Sequence, residues 1–94
     1  MDEVDAAEIL RGRWFEYKDS IPSPRIVFAV CPFCGKGDRI RLLPDAQEMG
    51  GLSDENYWAA WKRLAGTTRS PGICGFCLNV VLVSDIGVLM PGME

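Results

Sequence analysis

The sequence predicts an α+β fold: a small antiparallel β-sheet with one helix inserted between two cysteine pairs. Three observations carry this expectation. Cys31-Pro32-Phe33-Cys34 and Cys74-Gly75-Phe76-Cys77 repeat the C-x-x-C spacing and use all four cysteines of the chain. Apolar, β-branched runs lie beside each pair, at residues 25–30 and 78–84, and such residues fill strands. Between the pairs, Tyr57, Trp58, Trp61, Leu64 and Ala65 share one face at helical spacing.

At 94 residues the chain has room for a single domain, 1–94. A domain of this size buries only about 60–65% of its unfolded surface, so a metal or disulfide staple would help it fold. Residues 1–12 form an acidic N-terminal arm with Asp2, Glu3, Asp5 and Glu8. We read it as a short helical segment ended by Gly12, solvated rather than packed. Trp14 to Lys18 is aromatic and loosely alternating, which suits a short strand. Pro22 and Pro24 stiffen the connector over 20–24.

Residues 25–30 then run as a strand into Cys31. Residues 39–43 alternate charged and apolar and return as a half-exposed strand. The span 25–43 is therefore a hairpin carrying a first metal knuckle. Pro44 ends it, and 45–52 is a turn-rich loop. Ser53 or Asp54 caps a helix over 53–66, with acids in its first turn, Lys62 and Arg63 near its last, and Gly66 as its stop. Residues 67–72 read as a loop. The span 73–90 holds the second knuckle and its strands, at 78–84 and 88–90, before Pro91-Gly92.

Two C-x-x-C pairs in a chain without histidine point to one four-cysteine metal site formed by Cys31, Cys34, Cys74 and Cys77. Pro32 pre-sets φ inside the first turn, and Gly35 supplies the positive φ that a knuckle exit needs. The second turn departs from this form, because Gly75 lies inside the pair and Leu78 follows it; its geometry is left open. A redox dithiol would sit at a helix N-terminus, and neither pair precedes a helix-like stretch. Structural disulfides would suit a secreted chain, and Met1-Asp2-Glu3 does not start a leader. One Zn2+ per chain is the expected occupant, ahead of iron, since zinc is usual in closed four-thiolate sites.

The segments Val30-Cys31-Pro32-Phe33-Cys34-Gly35 and Ile73-Cys74-Gly75-Phe76-Cys77, each beside a strand, resemble the zinc ribbon family. The resemblance covers about half of the chain. It implies a structural zinc between two knuckles and a small antiparallel sheet, with the helix as an insertion. A treble-clef finger would lead from its second knuckle into a helix, whereas a Val-rich strand follows here. The first knuckle is also similar to those of iron-holding rubredoxins, but the second lacks their proline and trailing glycine.

Composition narrows function. Without histidine there is no Ser-His-Asp triad and no Cys-His dyad. Four thiolates leave a metal no open position for substrate, and Gly50-Gly51 lacks the Lys-Ser or Lys-Thr of a phosphate loop. We expect no enzyme and no small-molecule substrate. The formal charge is −3, and zinc on four thiolates lowers it by two more. That balance opposes a bulk grip on phosphates. Yet Arg25, Lys36, Arg39 and Arg41 face only Asp38 within 25–44. The plainer reading has these cations neutralise the metal site.

Two roles follow. One is a regulatory module contacting nucleic acid, the usual partner of zinc ribbons, or the transcription machinery through the Lys36–Arg41 hairpin. The other is a protein-binding adaptor or inhibitor using exposed aromatics or the sheet edge. Trp14 and Tyr17 join the four cations as candidate partner contacts, while Trp58 and Trp61 are expected in the core. Iron-based electron transfer is the third reading. The longest apolar run, Ile26 to Cys31, is too short to span a membrane, so a cytoplasmic protein is expected.

Overall fold

The computed structural model describes residues 2–19, 25–44 and 53–92. The elements run α1 (Glu3–Tyr17), β1 (Ile26–Val27), β2 (Ile40–Leu42), α2 (Glu55–Ala65), β3 (Ser70–Cys74), β4 (Val80–Ser84) and β5 (Gly87–Leu89). The fold is mixed α+β, as expected, and among the described residues two full helices accompany the sheet, the expected α2 and an α1 longer than the short N-terminal segment predicted. The strands form one antiparallel sheet in the order β1-β2-β3-β4-β5. The expected connectors at 20–24 and 45–52 lie outside the described residues.

Helix α1 corrects the reading of the N-terminal arm. It does not stop at Gly12, and Trp14 to Tyr17 is helical rather than a strand. Ala6 and Leu10 are fully buried, and Trp14 and Tyr17 extend their stripe one and two turns further. Aromatic strand preference depends on context, and here packing on α2 decides. Gly12 costs about 1 kcal/mol against Ala in a helix interior, and that packing outweighs it. Asp2 caps the helix by accepting from the Asp5 N–H at 2.8 Å.

The arm is also not wholly solvated. Glu3 is only 4% exposed. Its carboxylate lies 3.3 Å from Arg69 Nη1 and 3.9 Å from Arg63 Nη1, and it accepts from the Gly92 N–H at 3.3 Å. This one acid ties the start of α1 to the end of α2, to the approach to β3 and to the last strand's exit. Asp2, Asp5 and Glu8 remain exposed.

Helix α2 matches its expected bounds. Asp54 accepts from the Tyr57 N–H at 3.0 Å, and Gly66 closes it at φ 55°. Tyr57, Ala60 and Leu64 meet Ala6 and Leu10 of α1, with Ile73, Val80 and Leu82 of the sheet beneath. Trp58 and Trp61 are half-buried against this core, and Trp61 Nε1 donates to the Leu43 carbonyl at 3.1 Å.

Strand β3 corrects the loop expected over 67–72. Pro71 and Gly72 argue against a central strand, yet both sit in the ladder, paired with Leu82 and Val81. Pro71 lacks an N–H, but its carbonyl accepts from Leu43 N at 2.9 Å. Gly72 is needed because a Cβ there would stand 3.0 Å from Ile40 Cγ2 and 3.1 Å from the Arg41 carbonyl oxygen. Strand β1 is shorter than the run that suggested it. The Ala29 N–H turns back onto the Val27 carbonyl at 3.0 Å, and pairing resumes only at the Val30–Gly37 bridge.

Candidate metal centre

The two knuckles are built alike. In the first, Cys31 N donates to the Lys36 carbonyl and Gly35 N to the Cys31 carbonyl, each at 2.9 Å. In the second, Cys74 N donates to the Asn79 carbonyl at 3.0 Å and Leu78 N to the Cys74 carbonyl at 2.9 Å. The spacing is the same in both. Gly35 has φ 75° and Leu78 has φ 62° at equivalent places. The open question about the second turn is thus answered: Leu78 adopts the left-handed conformation that Gly35 adopts freely. The knuckles are joined because Gly75 N donates to the Arg39 carbonyl at 2.7 Å and Ile40 pairs with Cys74.

This frame brings Cys31, Cys34, Cys74 and Cys77 together, with all four Sγ atoms within 4.8 Å of one another. Cys31 Sγ to Cys77 Sγ and Cys34 Sγ to Cys74 Sγ are both 3.7 Å. A tetrahedral ion at about 2.3 Å from each thiolate sets sulfur–sulfur edges of about 3.8 Å. The donor set and its spacing therefore fit a tetrahedral thiophilic metal ion. Cys31 and Cys74 are buried, Cys34 and Cys77 half-buried, and all four are free thiols.

The surroundings favour thiolates unevenly. Burial pushes the Cys31 thiol up to about 12, against the backbone N–H groups of Cys34 and Phe33. Burial also opposes the Cys74 thiolate. There the backbone N–H groups of Cys77 and Phe76, with the neighbouring thiols, outweigh it and bring the group to about 7. Phe76 N lies 3.4 Å from Cys74 Sγ, and Asn79 Nδ2 donates to Cys77 Sγ at 3.4 Å. N–H groups aimed at sulfur stabilise the charge a metal ligand carries. Ile40 and Val81 close the apolar floor beside the two buried cysteines.

The other sequence-predicted contacts fall into two groups. Arg25, Lys36, Arg39 and Arg41 are exposed on the β1–β2 hairpin and its knuckle. Lys36 Nζ stands 5.3 Å from the Phe76 ring centroid, a cation–π contact between the knuckles. Trp14 and Tyr17 instead belong to the helical layer. Both are half-buried against the core, and the Tyr17 hydroxyl donates to Asp54 Oδ2 at 2.6 Å. Arg13 Nε also lies 2.8 Å from that oxygen.

Asn79 and the exposed side chains of Ile26, Phe28 and Val30 escaped the sequence reading. The run 26–30 was read as a strand, but a continuous apolar run carries no alternation to tell which side chains face outward. Among the described residues, no helix is long and apolar enough to cross a membrane. No family model matches the chain, and the comparisons with curated proteins and with solved structures found no match either.

Proposed function

We propose that the chain is a small, non-catalytic zinc-binding regulatory module, ribbon-like in build, in which one Zn2+ holds the two knuckles and the work is contact with a macromolecule. The observation that supports it most directly is the sulfur tetrahedron of Cys31, Cys34, Cys74 and Cys77. A closed four-thiolate shell is the usual setting of structural zinc and leaves no position for a substrate. Metal binding is then part of the folding free energy. Iron is the competing occupant. It is told apart by colour, since ferric tetrathiolate is red and zinc is colourless.

Contact runs through the β1–β2 hairpin and the knuckle it carries. For nucleic acid or the transcription machinery, Arg25, Lys36, Arg39 and Arg41 supply the cations. A protein partner is the second reading: of the exposed Ile26, Phe28 and Val30, only Phe28 offers bases a stacking platform, and a continuous apolar row suits apolar side chains of a protein better. The net charge of −3 points the same way. The test is titration of the zinc-loaded chain with DNA and RNA at low and raised salt. Salt-dependent binding lost on Arg39→Glu with Arg41→Glu supports the nucleic-acid reading. No binding at low salt favours the protein reading.

A further inference from the structure

Among the described residues β1 is an edge of the sheet, and its outer side chains are apolar and open. Ile26 is 47% exposed, Phe28 83% and Val30 61%. Across the ladder the register sets Ile26 beside Arg41 and Val30 beside Gly37, which places Phe28 across from Arg39. An apolar ridge therefore runs alongside two exposed arginines, with Arg25 at its head. This local charge is opposite to the net charge of the chain, −3.

We infer that this ridge docks a short acidic, apolar segment of a partner protein, an inference that rests on the protein-binding reading above. Leu- or Phe-type side chains of the segment cover Ile26, Phe28 and Val30, and its carboxylates pair with Arg39 and Arg41, since guanidinium groups bind carboxylates in a two-pronged fit. Size selects a segment over a second folded copy. The three side chains leave roughly 300 Å² open, the scale of a functional patch on a monomer, where a stable dimer buries about 800 Å² per partner. Recognition runs through side chains rather than an added strand. The turn of Ala29 N–H onto the Val27 carbonyl breaks the regular edge at Phe28, and such breaks oppose strand addition.

The test uses the zinc-loaded full chain and a fluorescein-labelled synthetic peptide alternating Asp with Leu and Phe. Its counterpart carries Lys in place of Asp, and an oligothymidylate serves as the nucleic-acid probe. The acidic peptide is expected to bind, and to bind at least tenfold more tightly than the Lys peptide. Phe28→Ser should weaken it about tenfold, since one buried aromatic anchor contributes on that order. Arg39→Glu with Arg41→Glu should weaken it further and remove its salt dependence. Ile86→Ser, at an 88% exposed residue in the β4–β5 turn, should leave it unchanged.

Any of four results overturns the inference: no peptide binding; equal binding of both peptides; binding indifferent to Phe28→Ser; or a dimer in sedimentation that Phe28→Ser dissolves. Oligothymidylate that binds more tightly than the peptide overturns it too, and moves the face to nucleic acid. If the peptide fails while each variant keeps its zinc and its cooperative melt, the docking inference falls and the zinc-module reading stands. If the zinc itself does not bind, the module reading falls first.

Discussion

The same substitution at two glycines should move stability in opposite directions. Gly72 lies in β3, paired with Leu42 of β2 and Val81 of β4. An added Cβ would stand 3.0 Å from Ile40 Cγ2 and 3.1 Å from the Arg41 carbonyl oxygen. The oxygen belongs to the β2 backbone and cannot rotate away, and Ile40 is fully buried beside Cys31 and Cys74. Relief therefore requires β2 and β3 to part. Overpacking of this kind costs about 1–3 kcal/mol. The reduced freedom of the unfolded Ala chain returns about 0.4–1 kcal/mol, so Gly72→Ala should destabilise by about 1–2 kcal/mol. At this chain length that lowers Tm by roughly 5–15 °C. Gly12 sits on the open side of α1, and a Cβ there meets nothing within 4 Å. Gly12→Ala should stabilise by about 0.5–1 kcal/mol. Urea unfolding of both variants at one fixed zinc concentration reads the two signs. Equal signs, or a neutral Gly72→Ala, would refute the close approach of β2 and β3.

Other consequences are as specific. The Tyr17 hydroxyl, with the Tyr57 N–H and Arg13, holds the Asp54 carboxyl below its usual range. Its contribution is therefore present above the unfolded carboxylate value, about 3.9, and lost as pH falls through the lower folded value; Asp54→Asn should flatten that acid limb in pH-dependent melts. The bond to Asp54 raises the Tyr17 hydroxyl above its ordinary value, so ultraviolet titration should show Asp54→Asn bringing it back down. Glu3→Gln removes the charge facing Arg69 and Arg63, and should cost about 1–3 kcal/mol while speeding hydrogen exchange at the Gly92 amide. Cys→Ser at any of the four ligand positions should remove the metal and the cooperative melt together; a variant that keeps both contradicts the shared site.

The legible parts of the fold were those where local chemistry and tertiary packing agree. The C-x-x-C pairs, the cap at Asp54 and the face of α2 each carry their own signal, and the structure brings the four sulfurs to metal-ligand spacing. The second half of α1 was hidden because Gly12 and the aromatics at 14–17 contradict a helix locally, and the packing of Ala6, Leu10, Trp14 and Tyr17 into the core overrides them. Strand β3 was hidden by Pro71 and Gly72. Their place in the ladder depends on a neighbour's N–H and on a close approach that no local pattern announces. Leu78 hid the likeness of the two knuckles, since a leucine at φ 62° carries no sequence mark. Glu3 was read with its acidic neighbours, although its partners lie far along the chain, at positions 63, 69 and 92.

In the function proposed above, one metal ion on Cys31, Cys34, Cys74 and Cys77 holds this fold. Native mass spectrometry with elemental analysis, on protein purified without added metal, tests it most directly. One zinc per chain is expected, with loss of the cooperative fold when a chelator removes it. A metal-free chain that melts cooperatively, or a mass lowered by two or four hydrogens through disulfide formation, would contradict it.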